Sequence, residues 1–342
     1  MEILNPVDLP HWDDLLISAK NCTFFHSSAW ARVLSESYGY RPLYFSRLNQ
    51  DRLSALIPVM EVKSFLTGRR GVSLPFTDYC EPILAESLRG QDLFREMVEY
   101  GKKKEWKFIE LRGGKVAEEG AIPSLSYFSH ILDLKGEEKR IFSGFRRGTK
   151  SSVKKALSSG VKAEISCSLG AVQEFFRLNG MTRRRHGLPP QPFHFFEKMW
   201  DHILSKGLGF VTLASYQGRA IAGALFFHFG KAGLYKYAAS DIDYQSVRPS
   251  NLVIWEAIRW FRRNGFEHLC FGKTEPENYG LRQFKQGWGT KEKVIHYYKY
   301  DLIKDAFVRD RPRERGFHNK IFRRMPAPLL RMTGSVLYKH MG

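Results

Sequence analysis

The chain has 342 residues, of which 43% are hydrophobic and 14% aromatic, so it is long and apolar enough for two domains with their own cores. A formal net charge of +19 predicts an acidic partner, and nucleic acid, an anionic membrane and a phosphorylated substrate all meet that description. Four widely spaced cysteines without a Cys-x-x-Cys pair argue against zinc and a disulfide framework, and no apolar run of about eighteen residues predicts a membrane span.

The first half of the chain predicts three strands, a helix and a fourth strand. Helical spacing of apolar residues from Leu93 to Gly101 supports the helix, and short β-rich runs between polar turns support the strands. The predicted elements are strands at 42–47, 53–62 and 71–74, a turn at 49–51, a helix over 88–104 and a strand at 106–111.

The second half predicts the same order. Its helix has Pro249 at a position that suits the first turn and Gly265 at a position that suits the C-terminal cap. The predicted elements are strands at 210–216, 220–229 and 232–239, a turn at 217–218, a helix over 249–264 and a strand at 268–271.

This repetition predicts two similar α/β (α+β) domains with mixed central sheets. Each unit is expected to return to a strand ending in Asp-Leu, at 131–134 and at 299–302. The predicted division is a first domain over 1–145, a second over 146–302 and a basic tail over 303–342.

A strongly basic segment at 137–164 joins the two units. Val153, Ala156 and Leu157 give it a thin apolar stripe, which predicts one basic helix ending at Gly160. Such a helix is either a solvated connection or a surface that follows a phosphate backbone. A strand at 161–165 and a helix over 169–185 are predicted to open the second domain.

The tail at 305–342 has nine Lys or Arg against three acidic residues, with apolar residues between them. This alternation suits a helix at the surface of an anionic membrane, or a C-terminal helix that packs on the body with its charges in water. Residues 1–6 lack the regions of a secretory signal, so the expected location is the cytoplasm or the inner face of the membrane.

The stretch 271–289 is the most informative part of the sequence. A buried-looking strand runs into Gly272, and a polar loop leads to Gly-Leu-Arg-Gln-Phe-Lys-Gln-Gly-Trp-Gly at 280–289. Glycine allows the backbone to approach a ligand, and Lys285 between an aromatic residue and a tight turn can hold one cation at a fixed point. That arrangement suits an anionic substrate or a developing oxyanion.

Four segments resemble the FemAB-like family, the peptidoglycan-bridge aminoacyltransferases and their acetyltransferase relatives. They are Phe-His-Ser-Ser-Ala-Trp-Ala-Arg-Val at 25–33, Leu-Pro-Phe-Thr-Asp-Tyr at 74–79, the basic stretch 146–161 and the motif at 280–289. The last is the most specific of the four. The resemblance covers about residues 20–302 and implies a tandem GNAT acyltransferase fold.

The resemblance also implies roles for individual residues. Lys285 is implied to steady charge during transfer, Asp78 to accept a proton from the amine or orient it, and Tyr237 to face the cleft. The implied substrate-binding residues are Arg184, Arg185, Arg32, Phe284, Ser250 and Asn251. No metal and no tightly bound cofactor are expected; the co-substrate is aminoacyl-tRNA or acyl-CoA.

The implied reaction is direct transfer of an aminoacyl or acyl group to an amine of an acidic or phosphorylated cell-envelope precursor. Two departures from the family limit this. Leu34 stands near a phosphate-binding lysine of some members, and neither unit has a glycine-rich pyrophosphate loop. The alternative is a non-catalytic protein that binds nucleic acid or a membrane surface on the same scaffold.

Overall fold

The computed structural model describes residues 1–19, 21–50, 52–85, 88–114, 116–117, 120–310 and 318–342, without the side chain of His318. Asp51 of the predicted turn and residues 311–317 of the predicted tail lie outside the described residues. The strands are β1 (Glu2–Leu4), β2 (Arg41–Asn49), β3 (Arg52–Ser64), β4 (Gly68–Val72), β5 (Ile83–Leu84), β6 (Phe108–Leu111), β7 (Leu125–Asp133), β8 (Lys162–Ser166), β9 (Gly209–Tyr216), β10 (Arg219–Phe229), β11 (Ala232–Ser240), β12 (His268–Thr274), β13 (Lys291–Asp301) and β14 (Ala306–Phe307).

The helices follow the predicted pattern in both halves. They are α1 (Trp12–Ser18), α2 (Ser28–Tyr38), α3 (Gly90–Lys103), α4 (Glu138–Ser143), α5 (Arg147–Ser158), α6 (Leu169–Arg185), α7 (Phe193–Met199), α8 (Pro249–Arg263), α9 (Tyr279–Gln286), α10 (His318–Arg324) and α11 (Ala327–Leu337). Short 3-10 turns occur at Phe24–His26, Ile242–Val247 and Tyr338–His340, and a π turn at Trp200–Leu204.

The chain divides into two compact units. Among the described residues, the first comprises 1–127, 294–310 and 336–342, and the second comprises 128–293 and 318–335. The predicted domain bounds at 145 and 302 stay a prediction.

The first unit contains the sheet order β1-β2-β3-β4-β6-β13. Its pairs are antiparallel except for β4 and β6, which run parallel because α3 crosses over between them. Helix α3 buries Leu93, Phe94 and Met97 against the apolar face of β2 and β3. The spacing of these three residues explains why the helix was predictable.

The second unit repeats this plan in the sheet order β7-β12-β11-β10-β9-β8. Strands β11 and β12 run parallel on either side of the crossover helix α8, as β4 and β6 do around α3. Helix α8 covers one face of the sheet, with Ile254, Ile258 and Phe261 in the core. The predicted repetition of elements is therefore confirmed.

The two closing strands were predicted in the wrong units. Strand β7, which ends at Asp133, pairs antiparallel with β12 of the second unit. Strand β13, which ends at Asp301, pairs antiparallel with β6 of the first unit. Both strands end in the same Asp-Leu, so local sequence gives no sign of which sheet each one joins.

The predicted single basic helix is instead two helices, α4 and α5. The chain breaks at Phe145, which is buried and packs edge-on against Trp255 and Trp288. The Arg146 amide then donates to the Gly287 carbonyl at 2.9 Å. Val153 and Ala156 are buried as predicted, but Leu157 of the predicted stripe is exposed.

The C-terminal segment forms helices that pack on the body along one face. Leu330 and Gly334 of α11 are buried in the second unit, and a Cβ on Gly334 would collide with the Pro190 carbonyl oxygen. Tyr338 and His340 are buried in the first unit. Among the residues that the structure describes, no helix is long and apolar enough to cross a membrane.

Candidate active site

Lys285 lies near the end of α9 in the second unit, and its side chain is buried at 5% exposure. Its Nζ donates to the main-chain carbonyls of Gly272 at 3.2 Å and Lys273 at 3.0 Å. Asn278 caps the helix by accepting from the Leu281 amide, and this cap fixes where α9 begins. The sequence analysis placed a fixed cation here, and the structure holds one.

An irregularity in β12 makes two carbonyls available to Lys285. The β12–β7 pairing shifts register between Cys270 and Lys273, and Gly272 adopts a φ of +69°. That backbone conformation suits glycine, and a bulge of this kind releases main-chain groups from the ladder. Lys285 therefore supplies hydrogen bonds to carbonyls that the bulge releases, and it also places a positive charge there.

The same end of β12 lies beside the opening of the central strands. The printed pairing of β11 with β12 covers three residues of β11, from Ala232 to Leu234. Beyond Leu234 the two strands are no longer paired, so the second half of β12, with Gly272 to Thr274, borders the gap. A gap between parallel strands leaves main-chain amides available to a ligand.

A cluster of polar side chains surrounds this end of β12, and the sequence analysis missed it. His130 of β7 lies with its Nε2 3.1 Å from Thr274 Oγ1 and its Nδ1 3.6 Å from Glu292 Oε1. Arg282 of α9 holds the Glu292 carboxylate through Nε at 3.1 Å and Nη2 at 3.0 Å. His130 is 144 residues from Thr274 in the chain, and the four residues form no motif, so only the fold brings the histidine to the other three.

Charge and burial keep His130 neutral. The pKa of its imidazole is lowered to about 4, chiefly by burial and then by the cations Lys285 and Arg282, while Glu292 raises it. The pKa of Glu292 is itself lowered by the hydrogen bond from Arg282, so this carboxyl group is ionised. The cluster thus combines two cations, one carboxylate and one neutral imidazole.

Tyr237 and Phe284 occupy different kinds of position. Tyr237 of β11 points to the α7 side, where its ring contacts Phe195 and Phe196, while Tyr235 packs in the core against Phe226. Tyr237 remains partly accessible. Phe284 is partly buried and packs against the core of the second unit, and its predicted substrate contact stays a prediction.

Arg184 and Arg185 line a cavity of about 410 Å³ in the second unit. Helix α6, residues 240–243 and the helices α10 and α11 surround it. Its lining includes Arg177, Arg323, Arg331, Asp241, Asp243, Met181, Ile242 and Leu330.

The cavity has an excess of positive charge. Asp241 is ion-paired with Arg219 at 3.1 Å, and Arg177 with Glu174 at 3.0 Å. Within the described ranges, Arg184, Arg185 and Arg323 have no hydrogen-bond or ion-pair partner. Three guanidinium groups beside apolar walls suit a ligand that carries phosphate.

Ser250 and Asn251 lie in the first turn of α8, as predicted. Arg248 precedes them in the left-handed conformation, at φ +56°, and the Asn251 amide donates to the Arg248 carbonyl at 3.1 Å. Pro249 stands at the first helical position and has no N–H. This start of α8 offers fewer amides than a glycine-rich phosphate loop.

Asp78 lies in the first unit, in a loop of unusual backbone. Leu74 and Phe76 both have positive φ, at +57° and +59°. The Tyr297 hydroxyl donates to the Asp78 carbonyl at 2.5 Å and the Arg112 guanidinium to the Thr77 carbonyl at 2.7 Å. Backbone strain that neighbouring side chains hold in place is typical of functional loops. Asp78 itself is partly accessible.

Arg32, the remaining predicted residue, is partly buried in the first unit, where its Nη2 donates to the Val7 carbonyl at 2.9 Å. This contact holds the N-terminal segment, and the predicted substrate contact stays a prediction. Among the residues that the structure describes, no three His, Cys, Asp or Glu side chains are grouped to bind a metal.

Comparison with known proteins shows what this chain is similar to. The family described as acetyltransferase (GNAT) domain matches residues 143–286, which include Lys285 and, from the cavity lining, Arg184 and Arg185. The solved structure of FemX, 14% identical, aligns with a TM-score of 0.67 over 89% of this chain and 97% of that one. This likeness shows what the fold of the chain is similar to.

The curated relatives are distant, and the chain covers only part of their length. A Lipid II:glycine glycyltransferase of Staphylococcus haemolyticus is 21% identical over 47% of this chain and 55% of its own length. A UDP-N-acetylmuramoylpentapeptide-lysine N(6)-alanyltransferase of Weissella viridescens is 24% identical over 48% and 44%. The chain spans about half the length of these relatives. The FemX likeness establishes the tandem GNAT fold.

Proposed function

We propose that the protein transfers an aminoacyl or acyl group from an activated donor to an amine of a cell-envelope precursor. The observation that carries the proposal is the buried ammonium of Lys285 at the open end of β12. A cation fixed by main-chain carbonyls is already oriented when negative charge develops on the acyl oxygen. The names of both curated relatives describe aminoacyl transfer, which supports the same chemistry here.

Among the two donors, the start of α8 favours aminoacyl-tRNA. A pyrophosphate needs several main-chain amides, yet the segment from Asp241 to Arg248 contains no glycine, and Pro249 removes one amide. The net charge of +19 favours a polyanionic donor as well. Acyl-CoA remains the alternative that the experiment separates.

On the acceptor side, the arginine cavity favours a phosphorylated precursor. Arg184, Arg185 and Arg323 line it without a partner among the described residues, and Met181 and Leu330 give it apolar walls. The proposed roles of Asp78 and Tyr237, which are to orient the amine and to border the acyl group, rest on the family resemblance and their partial accessibility.

The C-terminal segment supports binding at an anionic membrane surface. Leu329, Met332 and Val336 of α11 are 49%, 62% and 59% exposed and lie on one face, opposite the buried Leu330 and Gly334. The sequence from 305 to 342 has nine Lys or Arg against three acidic residues. An exposed apolar stripe among cations suits an anionic bilayer.

Purified protein should transfer label from charged tRNA, and not from acyl-CoA, to a lipid-linked or nucleotide-linked muropeptide. A thermal-shift series with each compound measures binding separately, because a ligand at a hundredfold excess over its Kd adds about 2.7 kcal/mol of stability. Stabilisation by tRNA or vesicles without transfer from either donor class would favour the non-catalytic alternative.

Membrane binding needs point substitutions, since removing residues 305–342 would also remove the buried Leu330, Tyr338 and His340. Leu329→Gln with Met332→Gln should weaken sedimentation with phosphatidylglycerol vesicles and leave transfer to a nucleotide-linked acceptor unchanged. Equal vesicle binding by this double variant would contradict the membrane role.

A further inference from the structure

The buried cluster beside Lys285 has the order hydroxyl, imidazole, carboxylate. Thr274 Oγ1 lies 3.1 Å from His130 Nε2, and His130 Nδ1 lies 3.6 Å from Glu292 Oε1. This order is that of a nucleophile or proton donor, a base and a group that orients the base. Nothing in the family resemblance or in the relatives' names assigns a role to any of the three.

The carboxylate end of the cluster is rigid. Arg282 grips Glu292 with two hydrogen bonds, and its guanidinium lies 3.8 Å from the centre of the Phe128 ring. A bidentate pair that is also stacked on an aromatic ring has little freedom to turn. Glu292 therefore presents Oε1 to His130 in one fixed direction.

The carboxylate determines which ring nitrogen carries the proton. A proton on Nδ1 faces the Glu292 oxygen, whereas a bare Nδ1 would face a negative charge. Nε2 is then left with its lone pair towards Thr274, so the Thr274 hydroxyl donates to it. Among the described residues, Nδ1 has no partner within normal hydrogen-bond distance, so a shortening of the gap to Glu292 is available when the ring becomes charged.

The hydroxyl end of the cluster adjoins the proposed reaction centre. Lys285 binds the carbonyls of Gly272 and Lys273, the two residues that precede Thr274 in the chain. The same three-residue stretch is thus held by the lysine through its main chain and by His130 through its side chain. Thr274 and His130 are 1% and 0% exposed, so bulk water is excluded from the pair.

We propose that Thr274, His130 and Glu292 form a proton relay for acyl transfer, an inference that rests on the proposed function. The amine nitrogen forms a bond to the acyl carbon and gives a proton to Thr274 Oγ1, while the Thr274 proton passes to His130 Nε2. As the bond from the acyl carbon to the carrier oxygen or sulfur breaks, the proton returns along the same path to that leaving atom. The side chains end in the protonation state in which they began, and no further reactant is needed.

The lowered pKa of His130 keeps its imidazole neutral at physiological pH, so Nε2 has a lone pair towards Thr274, and it favours release of a proton once one has been accepted. Glu292 and the cations Lys285 and Arg282 are the charged groups that act on this ring. Lys285 has a different role from the relay, because it stabilises negative charge on the acyl oxygen and does not move a proton.

Thr274→Val tests the relay with little change in shape, because valine replaces only the hydroxyl. Transfer should fall about 100-fold in kcat, the lower end of what positioned acid–base groups contribute. Thr274→Ser should restore most of the rate. The matched control is Thr212→Val, since Thr212 is also buried in the second unit and its hydroxyl has no partner among the described residues. That control should transfer at the wild-type rate.

A second measurement is independent of activity. Nitrogen-15 NMR of the labelled imidazole should find His130 in the form protonated at Nδ1, and Glu292→Gln should shift the Nε2 signal. If the wild-type protein transfers no donor, the proposed function fails while the NMR result still decides the relay geometry. A proton on Nε2, or wild-type turnover in Thr274→Val, would overturn the relay.

Discussion

The two units share an order of strands and differ in what they bury. In the first, His26 Nε2 lies 3.0 Å from the Glu81 carbonyl and Nδ1 3.1 Å from the Thr23 amide, and the side chains of Cys80 and Thr23 also lie close to these nitrogens. In the second, His130 faces two side chains and keeps one nitrogen without a normal hydrogen bond among the described residues. Both histidines are fully buried, so they differ in whether each ring nitrogen has a hydrogen-bond partner.

The buried cations differ in the same way. Arg112 in the first unit is paired with Glu110 at 3.0 Å and stacks on Tyr297. Its charge is therefore matched by a carboxylate of the same unit. Lys285 in the second unit is held by two carbonyls at a bulge beside the open strands. The GNAT match covers only the second unit, at 143–286. The proposed chemistry therefore lies in the second unit, whereas Arg112 in the first unit holds the 77–78 loop.

The largest expected effect comes from Lys285→Met. Transfer should fall at least 100-fold, because one fixed group that stabilises an oxyanion is worth roughly 10²–10³ in rate. The variant should also lose about 2 kcal/mol of stability, since the Gly272 and Lys273 carbonyls lose a charged donor. Steady-state kinetics and urea unfolding measure the two effects.

Arg112→Met is the matched variant for this comparison. It should cost similar stability while kcat changes far less, because its contacts hold the 77–78 loop and not the reaction centre. Equal losses of kcat in both variants would remove the distinction between the units.

Gly334→Ala is expected to detach part of the C-terminal segment. A Cβ at this position would meet the backbone oxygen of Pro190, which cannot move aside like a side chain. We expect a loss of about 2–3 kcal/mol, less the gain of about 1 kcal/mol that alanine brings to a helix. Gly180→Ala is the control, because a Cβ there meets nothing within 4 Å. Unchanged protease resistance at α11 in Gly334→Ala would contradict the packing.

The buried histidines predict a loss of stability in acid. The pKa values of His26 and His130 are both lowered to about 4, from an ordinary value near 6.5. As the pH falls below 6.5 the unfolded chain binds protons that the folded chain excludes, so stability is lost between pH 6.5 and 4, by roughly 3 kcal/mol for each group.

Substitution of each histidine by glutamine separates the two units. His130→Gln should flatten the pH dependence of unfolding in the second unit, and His26→Gln that in the first. Urea unfolding from pH 7 to 4 measures the slopes. A slope that stays as steep in both variants would assign the acid sensitivity to other groups.

Local sequence predicted the elements well because their patterns are local. Periodic apolar residues placed α3, α6 and α8 within two residues at each end, and Pro249 marked the start of α8. The exchange of β7 and β13 between sheets was missed, because pairing partners depend on tertiary contacts that two identical Asp-Leu endings cannot encode. The break at Phe145 was missed because its burial against Trp255 outweighs the helical pattern around it.

The candidate site could be predicted only where its residues stand in a sequence motif. The glycine-rich surroundings of Lys285 drew attention to a fixed cation, and the arginine run at the end of α6 drew attention to a phosphate. His130, Thr274 and Glu292 come from β7, β12 and β13 and meet only through sheet register. The sequence around a histidine on a strand gives no sign of which carboxylate will lie beside it in the fold.

The smallest expected effect is that of Asp78→Asn in the first unit. The loop is held through the main-chain carbonyls of Thr77 and Asp78, which the substitution leaves in place, so stability should change by less than about 0.5 kcal/mol. Only the carboxylate that would orient the amine is lost, and we expect a rise of about threefold to tenfold in the KM for the acceptor with little change for the donor. Tyr297→Phe provides the contrast, because it removes the hydroxyl that holds the loop and should lower stability by about 1 kcal/mol. If Asp78→Asn instead lowers kcat as far as Lys285→Met does, the first unit takes part in the chemistry and the division of labour between the two units is wrong.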